Sequence, residues 1–238
     1  MQLFEHRWNK FQKNNLLTTE SFEPEEQFKT RLRTGIALPL EEKVAFHFTA
    51  VGQLGRILDG EQGQFYARAG SLAETALCQR LVESEAGYLH DKSIDPHEFI
   101  AASIFPSGMN AIATTLEHVI EKIPRTMRGG MRFLKGKTVY YNTNNVFAAL
   151  EKRYNLAHTI VVDTTKLAEI KKALKDNQGN ILAIFYETAT NPLIEYTNTK
   201  EIYKLTHQRN IPKKLDNTFM TPYLLQPFRM GADIVIHS

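Results

Sequence analysis

The sequence predicts an α/β fold, a mostly parallel sheet covered by helices, on three observations. From about residue 70 onward, short apolar runs of strand length alternate with segments of helical period. The cleanest run, Ile181 to Glu187 (ILAIFYE), reads as a strand buried on both faces, as parallel strands are. Polar and turn-forming residues then follow the runs, at Ser107-Gly108-Met109, Glu187 to Pro192, Asp216-Asn217-Thr218 and Ser238. Strand, helix and strand in repetition imply crossover connections between parallel neighbours. Ligands of such sheets sit at the carboxyl ends of the strands, so those four segments are where chemistry is expected.

Element by element, residues 1–34 are polar and charge-rich, and Glu23, Pro24, Glu25 and Glu26 interrupt any pattern. They are expected to form an arm, and the domain reading is an N-terminal arm over residues 1–45 and one large domain over residues 46–238. Ser71-Leu72-Ala73-Glu74 has capping-box spacing and is expected to open an amphipathic helix with Leu77 and Leu81 inward. Phe99 to Phe105 (FIAASIF) reads as a buried strand, and Ile112, Leu116, Val119, Ile120 and Ile123 fall on one helical face. Thr138 to Tyr141 reads as a strand and Val146 to Tyr154 as a helix. Thr159 to Asp163 is strand-like again, and a helix over Lys166 to Lys175 turns Leu167, Ile170 and Leu174 inward. A helix around Ile202 to Gln208 and strands near Leu215 and at Ala232 to His237 complete the pattern.

Composition narrows the function classes. Lys and Arg number 29 against 26 Asp and Glu, a net charge of +3, which tolerates a phosphate-bearing ligand but lacks the concentrated basic footprint of a nucleic-acid binder. The single cysteine, Cys78, rules out an intrachain disulfide, suits a reducing compartment, and reads as a small buried thiol. The N-terminus has no apolar core of signal-peptide length and no run approaches a membrane span, so a cytoplasmic protein is expected. The eight histidines show no metal-ligand spacing, and no metal is expected.

Each candidate site carries two readings when taken alone. Ser107-Gly108-Met109 joins a strand to a helix, either as a tight turn or as a phosphate site made of N–H groups at a helix start. Asp216 either caps the turn that follows or holds a protonated heterocyclic nitrogen. Asn191, restricted by Pro192, either belongs to a plain turn or aims its amide into a site. Tyr66 and Arg68 share a face of an extended segment and suit either a solvated edge or phosphate recognition. Gly136-Lys137-Thr138 ends like a P-loop but lacks the first glycine, where Met131 stands, and is expected to precede a strand. Arg125, Arg128, Arg132, Lys135 and Lys137 read as a solvated basic loop, and His237 as a satisfied core histidine.

The order and spacing of these segments carry more than any one of them. The run from Leu215 through Asp216-Asn217-Thr218-Phe219-Met220-Thr221-Pro222-Tyr223 and Gln226-Pro227 to Gly231-Ala232-Asp233-Ile234-Val235-Ile236-His237-Ser238 is very similar to the signature of the Cys/Met-metabolism pyridoxal-phosphate enzymes. Glu187 to Pro192 resembles that family's Glu-x-Pro-x-Asn-Pro stretch, with Ala189 in place of the first proline. Ser107-Gly108-Met109 resembles its phosphate loop and Tyr66-x-Arg68 its Tyr-x-Arg element, all in the family's order. The resemblance covers about residue 35 to the end. Ser71 stands where the family has the asparagine of Asn-Pro-Thr, and YLHDKSIDPHEF, between Leu81 and Phe105, is extra.

The resemblance implies the large domain of the fold type I, aspartate-aminotransferase-like, pyridoxal-phosphate enzymes, here incomplete. It implies pyridoxal 5'-phosphate as cofactor and β- or γ-elimination or replacement on a sulfur amino acid such as cystathionine, an O-acyl-homoserine or methionine. Carried over residue by residue, Ser107, Gly108, Met109 and Ser238 would hold the cofactor phosphate. Asp216 would pair with the ring nitrogen, Thr218 would pack on the ring, Asn191 would lie near the phenolic oxygen, and Tyr141, or Tyr140, would stack on the ring. Tyr66 and Arg68 would reach the phosphate of a neighbouring subunit, which implies a homodimer or homotetramer. The family's Schiff-base lysine follows the serine equivalent to Ser238 by three residues, so the chain reads as truncated before it and inactive alone. The alternative is a non-catalytic remnant, or half of a split enzyme that associates with a complete paralogue or a second chain.

Overall fold

A computed structural model describes residues 71–238, which fall into two compact units. The expectations for the arm, its boundary at residue 45, and Tyr66 and Arg68 lie outside the described residues.

The described part of one unit comprises residues 71–83 and Gly87–Ser103. Helix α1 (Leu72–Ala86) opens it, and the last turn of α1, Ser84–Ala86, groups with the other unit. The Ser71 hydroxyl accepts the Glu74 N–H at 3.1 Å, satisfying one of the donors a helix start leaves free. The buried side of α1 steps through Cys78, Val82 and Ala86, each four residues on. Leu77, expected inward, is exposed, because one residue along a helix turns the side chain about 100° away from that stripe. The extra segment forms two short 3₁₀ turns, Gly87–Lys92 and Pro96–Glu98. The Glu83 carboxylate faces Nε2 of both His90 and His97, each at 3.0 Å.

The other unit, Ser84–Ala86 with Ile104–Ser238, is built on five strands. These are β1 (Arg132–Gly136), β2 (Ile160–Val162), β3 (Ile181–Glu187), β4 (Lys213–Asp216) and β5 (Ile234–Ile236). Their order across the sheet is β2-β1-β3-β4-β5 and every pairing is parallel. Helices α2 (Gly108–Glu121) and α3 (Tyr141–Tyr154) share one apolar cluster with Phe133, Ala183 and Phe185. Helices α4 (Leu167–Asp176) and α5 (Thr199–Thr206) share another with Leu134, Ile184, Tyr186 and Leu215. Along β3, Ala183 and Phe185 serve the first cluster and Ile184 and Tyr186 the second, the period-two alternation of a strand. Ile112, Leu116 and Ile120 repeat every four residues along α2 and are fully buried, each contributing about 1.5–3 kcal/mol. Phe147 of α3 sits edge-on to Phe133 at 5.3 Å and to Phe185 at 5.7 Å between ring centroids. No helix among the described residues is long and apolar enough to cross a membrane.

Four further expectations are corrected. Phe99 to Phe105 is irregular, and Phe99 is 72% exposed. An apolar run becomes a strand only where a neighbour supplies the ladder, and none of the five strands pairs with it. The strand expected over Thr138 to Tyr141 lies earlier, at Arg132–Gly136, where Leu134 and Lys135 pair with Ile184 and Phe185, while Tyr141 already starts α3. Gly136-Lys137-Thr138 therefore follows a strand and leads to a helix, contrary to the expectation. Its Lys137 is used in an ion pair with Asp163 at 3.2 Å. Lys135 is likewise no member of a solvated loop: it is buried, and its Nζ donates to the Gly136 carbonyl at 2.8 Å.

Candidate active site

Because all five strands run the same way, the segments after Gly136, Glu187, Asp216 and Ile236 leave from one edge of the sheet. Glu187 and Asp216 are register partners, as are Asp216 and Ile236, so these three residues form one row across that edge. The chain after β1 enters α3 on one face, and the chain after β3 reaches α5 on the other. The crevice where neighbouring connections diverge in this way is the ligand position of open α/β sheets.

Beyond the row the backbone is laced tight. The buried Asn217 donates its N–H to Ile236 O at 2.8 Å, accepts the Thr188 hydroxyl at 2.7 Å through Oδ1, and donates from Nδ2 to Leu225 O at 2.9 Å. The Ser238 N–H donates to Thr218 Oγ1 at 3.0 Å, and the Thr218 N–H donates to Asp216 Oδ1 at 2.9 Å. Asp216 thus caps its own turn with one oxygen and keeps Oδ2 for a further partner. The capping and ligand readings of this carboxylate are compatible.

The start of α2 closes on the same place. The Ser107 hydroxyl accepts the Asn110 N–H at 3.2 Å as the helix cap. Gly108 packs so closely on Ser238 that a Cβ at position 108 would lie 2.5 Å from Ser238 Cβ and 2.7 Å from its Oγ. Only glycine fits there, and the hydroxyl of Ser238 is thereby brought to a helix N-terminus whose free N–H groups and dipole favour an anion. Ser107, Gly108 and Ser238 therefore come together, with Thr218 and Asp216 continuing from Ser238.

Glu187 ties the segment that leads into Tyr141 to the row. This buried carboxylate accepts the backbone N–H of Tyr140, and the backbone N–H of Asn191 faces it. The Asn191-Pro192 bond is cis, and the Asn191 side chain lies in an exposed turn bridged by Ala189 and Tyr196. Tyr141 begins α3, is 68% exposed, and holds its ring 4.7 Å from that of Tyr140. His237 is paired: its Nε2 lies 2.5 Å from Oε1 of the buried Glu85.

The electrostatics below the row were not foreseen from composition. Burial, then the negative charge of Asp216, push the Glu187 carboxyl above the usual carboxylate range, and the N–H groups of Tyr140 and Asn191 and the amine of Lys135 oppose them. Burial lowers the Lys135 amine, and Glu187 opposes that shift. Lys214, 3% exposed and two residues before Asp216, is pushed down to about 8 by burial, with Lys122 adding and Asp233 opposing. Its neighbour Lys213 points to the other face, where Nζ pairs with Asp233 at 2.7 Å. The signal in the sequence was the pair Lys213-Lys214 inside a short strand, since alternation must send one amine to each buried face. Among the described residues no group of three or more His, Cys, Asp or Glu side chains is placed to hold a metal ion.

Comparison with known proteins matches this geometry to a family. A family model described as Cys/Met metabolism PLP-dependent enzyme matches residues 19–238. The L-methionine gamma-lyase of Fusobacterium nucleatum subsp. polymorphum is 32% identical over 205 residues, covering 85% of this chain and 46% of that protein. The cystathionine beta-lyase MetC of Bacillus subtilis is 29% identical over 212 residues, covering 89% of this chain and 46% of that protein. Among solved structures, cystathionine gamma-lyase from Lactobacillus plantarum, complexed with L-serine, superposes with a TM-score of 0.60 at 28% identity, over 89% of this chain and 50% of that one. The chain spans about half the length of the curated relatives it matches. With a parallel α/β sheet, a glycine-started helix closed on Ser238, and a match running from residue 19 to residue 238, the chain belongs to the family of Cys/Met metabolism PLP-dependent enzymes.

Proposed function

We propose that the chain contributes the cofactor-holding half of a pyridoxal-phosphate-dependent trans-sulfuration enzyme, one that eliminates or replaces a β- or γ-substituent of a sulfur amino acid. The observation that carries this reading is the closure of Gly108 on Ser238, with Thr218 and Asp216 laced to the same point. The residues present fit pyridoxal phosphate. The start of α2 packs on Ser238 so closely that a Cβ at position 108 would clash with it, the N–H groups of that helix start suit a phosphate, and Asp216 retains an oxygen for a ring N–H. When bound, that group supplies an electron sink for a substrate carbanion.

In this reading Ser107, Gly108, Met109 and Ser238 hold the phosphate. Asp216 keeps the ring nitrogen protonated, Thr218 packs against the ring, Asn191 lies toward the phenolic oxygen, and Tyr141 covers the opposite ring face. Tyr66 and Arg68 are assigned to the phosphate bound by a neighbouring subunit, which makes the working form a homodimer or a homotetramer. An arm over residues 1–45, a large domain over 46–238 and a cytoplasmic location complete the proposal. The names of the relatives support trans-sulfuration as the reaction class, since lyases for methionine and cystathionine recur among them.

The test compares pyridoxal phosphate with pyridoxal in equilibrium dialysis against the full chain. A phosphate cradle predicts that pyridoxal phosphate binds at least about tenfold more tightly, worth about 1.4 kcal/mol. Equal affinities would contradict the assignment of Gly108 and Ser238.

A further inference from the structure

Glu187 is a buried carboxylate that the functional reading above does not use, and it stands where that reading needs precision. It ends β3 at the crevice, beside Asp216 in the row of register partners. Nothing in its position suggests substrate contact, yet backbone N–H groups from two different connections face it, one of them in a geometric hydrogen bond. One belongs to Tyr140, the residue immediately before α3, whose first residue is Tyr141. The other belongs to Asn191, in the turn after β3. Neither Tyr140 nor Asn191 is held by regular secondary structure: no side chain caps the start of α3, and the turn after β3 has a single isolated bridge.

We infer that Glu187 is a positioning residue, the one carboxylate that sets Tyr141 and Asn191 against Asp216 in the cofactor pocket. The inference rests on the cofactor reading above. Burying a carboxylate is costly unless its lone pairs are filled, and backbone donors aimed at it repay part of that cost while fixing the donors' own segments. The groups that act on it most are the amine of Lys135 from β1, the carboxylate of Asp216 from β4, and the N–H groups of Tyr140 and Asn191. Lys135 offsets part of the negative charge while its own Nζ is directed to Gly136 O. This leaves the carboxylate oxygens free to hold the two loops. The first turn of α3 then starts at a defined height above the sheet edge, and the Tyr141 ring with it.

A double-mutant cycle tests this in the full chain, with the dissociation constant of pyridoxal phosphate as the readout. Glu187→Gln keeps the shape but sets an amide NH₂ against one of the two N–H donors. It is expected to weaken pyridoxal phosphate binding by roughly three- to tenfold, the size of one ordinary net hydrogen bond. In a Tyr141→Ala background the same substitution is expected to cost less than about twofold, because the group it positions is gone. Glu187→Ala should behave alike with a larger first effect, and circular dichroism reports whether it folds; if it does not, Glu187→Gln carries the comparison. An equal loss in both backgrounds, or no loss in either, would overturn the inference while leaving the cofactor reading intact. Failure of the unsubstituted chain to prefer pyridoxal phosphate over pyridoxal overturns both.

Discussion

At the scale of single residues, the site depends on two features that local sequence does not display. Gly108 must be glycine because of Ser238, a residue at the other end of the described chain. Gly108→Ala is therefore expected to destabilise the fold by about 1–3 kcal/mol, as overpacking does, and to weaken pyridoxal phosphate binding by about tenfold or more. Urea titration and dialysis would measure the two, and an alanine variant with unchanged affinity would contradict the cradle. Lys214 titrates at about 8 in the fold against its ordinary 10.5. Between those values the unfolded chain holds a proton that the folded chain has released, so stability rises with pH across this window and is lowest below it. Lys214→Met is expected to raise stability at pH 7 by an amount on the order of a few kcal/mol and to flatten the rise between pH 8 and pH 10. Parallel stability curves for the two proteins would contradict the buried amine. Cys78 behaves as its apolar setting suggests: burial, and then Glu74, push the thiol up to about 11, which leaves little thiolate at neutral pH.

At the scale of elements, apolar periodicity was a good guide wherever the sheet completes what the strand begins. Ile181–Glu187 lies between β1 and β4 and has the bounds its apolar run suggests. The same kind of run at Phe99 to Phe105 has no ladder, and its exposure shows that hydrophobicity alone does not make a strand. Amide hydrogen exchange is expected to separate them, with Ile181–Glu187 among the slowest and residues 99–105 among the fastest. Comparable protection of both segments would contradict the pairing described here. β1 escaped notice because RFLKG carries two basic residues, and a buried lysine whose amine returns to a backbone carbonyl looks in sequence like a solvated one. Asp216 could be read two ways from sequence, and the hydrogen bond from the Thr218 N–H to one of its oxygens shows the capping reading while leaving the ligand reading compatible with it.

At the scale of the whole molecule, the chain holds the part of the family fold in which the carboxyl ends of parallel strands meet a helix start. It spans about half of its curated relatives. The fold class was legible because alternation of strand and helix is a property of the whole sequence. Asn191, Asp216, Thr218 and Ser238 could be singled out because each ends or follows an apolar run that is a strand, where a parallel sheet presents its loops, whereas Ser107 to Met109 follow a run that forms none. What sequence could not display is which of them touch: Gly108 with Ser238, Glu187 with Tyr140, and Glu85 with His237 are long-range pairs fixed by packing. The central claim is that the start of α2, closed on Ser238, is a phosphate cradle. Its most direct test is a titration of the ¹⁵N-labelled chain with pyridoxal phosphate, following backbone amide resonances. The account predicts saturable shifts of the Gly108, Met109 and Ser238 amides that pyridoxal without its phosphate does not reproduce. Shifts confined to other residues, or identical shifts with both compounds, would contradict it.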